Sequence, residues 1–88
     1  MPINKNYILK SIGDDYMLIP LVGDDLDFSK VYNLTETAAV IYKGLVDNKR
    51  IDEIVDVIMH EYDVSYIVAY KDTLDFIAEL KKRGIYSE

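Results

Sequence analysis

The sequence predicts an α+β domain of winged helix-turn-helix type, with a three-stranded antiparallel sheet followed by three helices. Three observations carry this. Apolar runs broken by Gly-Asp turns fill the first third of the chain. Apolar residues then recur at helical spacing in three successive segments. No linker, repeat or low-complexity segment divides the 88 residues, so residues 1–88 form one domain. A chain of this size buries only about 60–65% of its unfolded surface. With no cysteine, neither disulfides nor thiolate-bound metal reinforces it.

The first two strands are "YILKSI" (Tyr7–Ile12) and "YMLIPLV" (Tyr16–Val22). Between them stands "GDD", whose Gly and Asp accept the positive φ of a hairpin turn. Pro20 has no N–H for a ladder, which places it at an edge or near a strand end. A second "GDD" opens the loop "GDDLD", and a third strand follows from Phe28 to Leu34. That strand runs abruptly into the first helix in "VYNLTETAAVIYKGL" (Val31–Leu45). Thr35 caps this helix, Glu36 suits the positive end of its dipole, and Ala38, Ile41, Tyr42 and Leu45 form its apolar face.

The second helix spans Ile51–Tyr62. Ile51, Ile54, Val55, Ile58, Met59 and Tyr62 form one stripe, with Asp52, Glu53, Asp56 and Glu61 opposite. The third runs from Tyr66 to Arg83, with Ser65 as its cap and Gly84 as its stop. Its apolar arc is unusually wide. Ile67, Tyr70, Leu74, Ile77 and Ala78 form one stripe, and Tyr66, Ala69, Thr73, Phe76 and Leu80 form its neighbour. Together they cover roughly 200°, about twice what a surface helix needs. One stripe packs on the domain and the other calls for a separate partner. Tyr42, Leu45, Ile54, Ile58 and Leu80 are expected in the core.

Composition narrows the function. The 50% hydrophobic content supports a core, and eight Tyr against two Phe suit half-buried binding surfaces. A net charge of -6 argues against duplex DNA, whose phosphates call for a basic footprint. The N-terminus is too polar for a signal peptide, and no apolar run approaches the roughly 20 residues of a membrane span. A cytoplasmic protein is expected.

Catalytic signals are thin. His60 is the single histidine, and a zincin would require a second where Val64 stands. It reads as a helix-surface residue. The four Gly are scattered, so no phosphate loop forms. Asp24, Asp25 and Asp27 lack the spacing of a calcium loop and read as a solvated turn. Asp72, Asp75 and Glu79 share one helix face and read as solvated. Lys81, Lys82 and Arg83 suit the negative end of the third helix. No catalytic residue, cofactor or metal is expected.

"LTETAAVIY" (Leu34–Tyr42) resembles the L-N-E-T-A-x-x-I-W signature of PqqD-like proteins. "IDEIVDVIMHEYDV" resembles their second helix, and "DTLDFIAELKKRGI" (Asp72–Ile85) resembles their closing D-x-L-x-F-L-x-x-L-x-x-x-G-L. The likeness runs from Tyr7 to Tyr86. Thr35 replaces the usual Asn but still caps. Tyr42 replaces the usual Trp, and Arg50 stands where a capping Thr or Ser is common. The resemblance implies a RiPP recognition element, a peptide chaperone with a winged helix-turn-helix fold. Such proteins bind the leader of a ribosomally made precursor peptide and deliver it to a modifying enzyme, often a radical-SAM enzyme. The leader adds a strand to the third strand and lies against the third helix.

Transferred to this chain, the resemblance implies that the backbone of Lys30, Val31 and Tyr32 pairs with the leader. Periodicity supplies two stripes on the third helix without saying which faces inward. Phe76 and Leu80 match core positions of the family, so Tyr70, Leu74, Ile77 and Ala78, with Lys81 near the end, are assigned to the groove. Strand addition gives affinity through main-chain hydrogen bonds, and side-chain pockets give specificity. Two alternatives stand: a winged-helix nucleic-acid binder, since fold does not fix function, and a module that homodimerises through the same edge.

Overall fold

Gly13 and Asp14 form a two-residue turn with Gly13 at φ 61°, a conformation that residues with a Cβ rarely adopt. The turn joins β1 (Tyr7–Ile12) to β2 (Asp15–Val22) in antiparallel register from Tyr7↔Pro20 to Ile12↔Asp15. The structure is a computed structural model and describes residues 3–87. After a second turn, β3 (Asp25–Leu26) pairs with the end of β2, and β4 (Tyr32–Leu34) pairs with its start. β2 is therefore central, with β1 on one side and β3 and β4 on the other.

Among the described residues the sheet thus has four strands where three were expected: the two-residue β3 forms within the expected loop, and the expected third strand, Phe28–Leu34, is cut to β4. The Asp27 carboxylate accepts hydrogen bonds from the Ser29 N–H, at 3.0 Å, and from the Ser29 hydroxyl. These local bonds hold its carboxyl below its ordinary pKa and fold Phe28–Lys30 into a 3-10 turn. Extended pairing begins at Tyr32. Asp27 is thus a turn-forming residue rather than merely a solvated charge.

Three helices follow. α1 (Glu36–Val46) is capped by Thr35, whose Oγ1 accepts from the Ala38 N–H at 3.1 Å. α2 (Ile51–Tyr62) has no Ser or Thr at its cap. Instead the Glu53 carboxylate accepts from the Arg50 N–H at 2.9 Å, half of a capping box. α3 (Tyr66–Lys82) is capped by Ser65. It ends at Gly84, φ 75°, where the Ile85 N–H reaches back to the Leu80 carbonyl at 2.9 Å. Ile85 then tucks into the core. The Asn4 N–H donates to the Ile85 carbonyl at 2.7 Å, so the segments before β1 and after α3 lie together.

The helices cover one face of the sheet. Tyr42, Leu45, Ile54, Ile58 and Leu80 are all buried, with Leu18 and Leu34 from the sheet packed among them. On α3, Ala69, Thr73, Phe76 and Leu80 point inward. Thr73 satisfies its hydroxyl by donating to the Ala69 carbonyl at 2.8 Å.

α1 and α2 approach closely at Gly44. A Cβ added there would lie 2.7 Å from Ile54 Cγ1. Ile54 is β-branched and buried, so it has little room to yield. Gly44→Ala should therefore destabilise the domain by about 1–3 kcal/mol, despite the better helix propensity of alanine. Urea unfolding checks this. Adding Ile54→Ala should cost much less in the Gly44→Ala background than alone. Simple additivity would show that the two residues do not collide.

Candidate functional site

The hairpin fixes the direction of every backbone group in β2. Ile12 and Asp15 flank a two-residue turn and form a hydrogen-bonded pair, so odd-numbered groups of β2 face β1. The Leu21 N–H accordingly donates to the Asn6 carbonyl at 2.7 Å. Even-numbered groups face the other way, and the Pro20 carbonyl accepts from the Asp27 N–H at 2.8 Å. Tyr16↔Leu34 and Leu18↔Tyr32 are then the bonded pairs with β4, while Met17↔Asn33 is the non-bonded pair. The N–H and C=O of Asn33 point away from β2. No described strand pairs with that outer edge.

Beside this edge lies a depression of about 490 Å³ between β4, the start of α1, and α3. Its apolar surface comes from Tyr32, Leu34, Ala38, Ile41 and Phe76. Among the described residues, Asp72 and Asp75 on α3 are the only charged ones that line it. The Tyr32 and Phe76 rings meet at 6.4 Å between centroids. Arg83 also lies over the Tyr32 ring, 3.7 Å from its centroid, and its Nε donates to Glu79 Oε1 at 2.9 Å. These two contacts hold the Tyr32 ring at one end of the edge. Partial burial raises the phenol pKa of Tyr32, although Arg83 opposes the shift.

The expected site residues divide. Val31 (φ −69°, ψ 136°) and Tyr32 are extended and lie at the edge. Lys30 lies in the 3-10 turn, where its N–H turns back to the Asp27 carbonyl at 3.4 Å, so the turn withdraws it from the strand. On α3, Tyr70, Leu74, Ile77, Ala78 and Lys81 lie about 100–160° around the helix from Phe76. None of them lines the depression. Ile77 is buried in the core, Tyr70 stacks on Tyr66 at 5.7 Å, and Lys81 sits over Tyr86. The wall beside β4 is instead Asp72, Asp75 and Phe76.

Sequence reasoning missed Asn33, Asp72 and Asp75 as site residues. For Asn33 a signal existed: a two-residue turn at Gly13–Asp14 fixes the parity along β2, and β4 inherits it. For the two aspartates none did, because a solvated face and a groove wall have the same pattern.

A second depression, of about 320 Å³, lies between β2, α1 and α2 around Tyr16, Glu36, Lys43, Glu61 and Tyr62. The Tyr62 hydroxyl is buried there with the Glu36 carboxylate beside it. Desolvation pushes its pKa up to about 12, and the Glu36 and Glu61 carboxylates add to the effect. Among the described residues, the one strand lining this depression is β2, through Tyr16, and β2 is paired on both sides. His60 is exposed on α2, with Nδ1 2.8 Å from the Asp56 carbonyl. Among the described residues there is no group of three potential metal ligands, and no helix is long and apolar enough to cross a membrane.

Residues 16–85 match the family model described as coenzyme PQQ synthesis protein D (PqqD). No curated protein matches the chain. Among solved structures, TbiB1 in complex with the TbiA(beta) leader peptide is similar at 26% identity and a TM-score of 0.78. That match covers 99% of this chain and 95% of the other. A lasso peptide synthetase B1 complexed with the leader peptide is similar in fold, at 19% identity and a TM-score of 0.79, covering 98% and 95%.

Proposed function

The chain belongs to the PqqD family, and on that premise we propose that it binds the leader of a ribosomally synthesised precursor peptide by strand addition to β4. The bound leader is then presented to a modifying enzyme, which we take to be a radical-SAM maturase. The chain itself supplies recognition and no catalysis. One observation carries the proposal: the backbone of Asn33 faces outward on an unpaired edge, directly beside an apolar depression. An incoming strand would satisfy those backbone groups, and its alternate side chains would enter the depression. The leader-bound state of TbiB1, 26% identical, supports the same reading.

Amide spectra of isotopically labelled protein, titrated with the synthetic leader of a precursor encoded beside it, test this. Shifts are expected at Val31–Leu34 and at Asp72–Phe76. Shifts confined to the β1–β2 hairpin or to α2 would refute the site. Co-purification with a co-encoded radical-SAM enzyme, strengthened by the leader, tests the presentation step.

A further inference from the structure

We propose that Asp72 and Asp75 make the groove selective for a leader segment carrying a lysine or arginine beside the β4–α1 junction. The inference rests on leader binding at β4 and adds the chemistry of what is bound. The opposite wall supplies only uncharged groups at that point, from Asn33, Thr35 and Thr37. Any charge preference there must come from the α3 side. Asp72 has no ion-pair partner among the described residues, and Asp75 makes only an exposed 3.4 Å contact with Lys71 on its own helix.

At the other end of the edge, the Arg83 charge is already matched by Glu79 and covered by Tyr32. The groove is therefore apolar along its floor, neutralised at the Tyr32 end and acidic at the Leu34–Thr35 end. A strand that presents an apolar side chain toward Phe76 and a cationic one toward Asp72 and Asp75 matches this sequence of surfaces. Because the charge lies at one end only, it also fixes the register of the added strand. A one-residue slip would turn the cationic side chain to the opposite face.

A display library of random 12-residue peptides, selected in parallel against the native chain and the Asp72→Asn/Asp75→Asn variant, tests the proposal. Both aspartates are exposed, and the amides preserve their shape. The native chain should enrich lysine or arginine at one fixed position relative to the apolar anchors. The variant should lose that enrichment, and Asp72→Lys/Asp75→Lys should replace it with aspartate or glutamate. Selected basic peptides should weaken by roughly two- to fivefold for each aspartate removed, and should weaken further in high salt. Basic residues spread over all positions and unchanged by the variant would reflect net charge alone and would overturn the proposal. Peptides that shift the Asn33 and Phe76 amides but share no basic position would also overturn it, while leaving leader binding at β4 intact. If no selected peptide shifts β4, leader binding at this edge fails and the selectivity fails with it.

Discussion

Asn33→Pro is expected to lower the affinity for a groove-binding peptide at least about tenfold while leaving the fold intact. The Asn33 N–H takes no part in the ladder to β2, so proline removes no internal hydrogen bond. Proline is also tolerated on edge strands, and the extended Tyr32 before it suits the restriction proline imposes. What is lost is the outward donor, worth about 0.5–1.5 kcal/mol. The ring also obstructs the approaching strand. A tenfold loss corresponds to about 1.4 kcal/mol. Asn33→Ala keeps the N–H and should change affinity by less than about threefold, since neutral side-chain changes at an exposed edge cost little. Val31→Pro is a second probe, because φ at Val31 is −69°, already within the range of proline. Fluorescence anisotropy with a display-selected peptide, alongside a thermal melt, checks all three. Equal binding by the native chain and Asn33→Pro would exclude strand addition at this edge.

Ile58→Ala is expected to cost about 2–5 kcal/mol of stability, the range for truncating a fully buried aliphatic side chain. Ile58 is 1% exposed and packs in the cluster that joins α2 to α3 and the sheet. For a domain of this size the loss should lower the Tm by roughly 10–30 °C. Much of the total stability would go with it, since small domains hold only about 5–15 kcal/mol in all. Ile67 is the contrast, 75% exposed on α3. Ile67→Ala should stay within about 0.5 kcal/mol of the native chain. Urea denaturation of both variants checks the layout. An Ile58→Ala loss no larger than that of Ile67→Ala would be incompatible with the packing of α2.

Local chemistry settled the elements. Gly13 set the hairpin, Thr35 and Ser65 set two helix starts, and Gly84 set the end of α3, each through bonds reaching only a few residues along the chain. The single stripe of α2 left one way to face it, and Ile54 and Ile58 are buried accordingly. The 3-10 turn at Phe28–Lys30 was also local, but the Asp27 side chain that forms it competes with a strand pattern that looked continuous.

The sequence by itself thus determined the first hairpin, the three helices and their order, the expected core residues, and the family signature spread along Leu34–Ile85, but not the short β3 or the 3-10 turn before β4. Which face of α3 borders the β4 edge was decided only by tertiary packing. Two adjacent stripes on α3 satisfy periodicity equally, and the rotation of a helix about its axis depends on the surfaces it meets, not on its own spacing. Burial of Ala69, Thr73, Phe76, Ile77 and Leu80 against the rest of the core sets that rotation, with Phe76 meeting Tyr32. It turns Tyr70, Leu74 and Lys81 away from β4 and brings Asp72 and Asp75 to the groove.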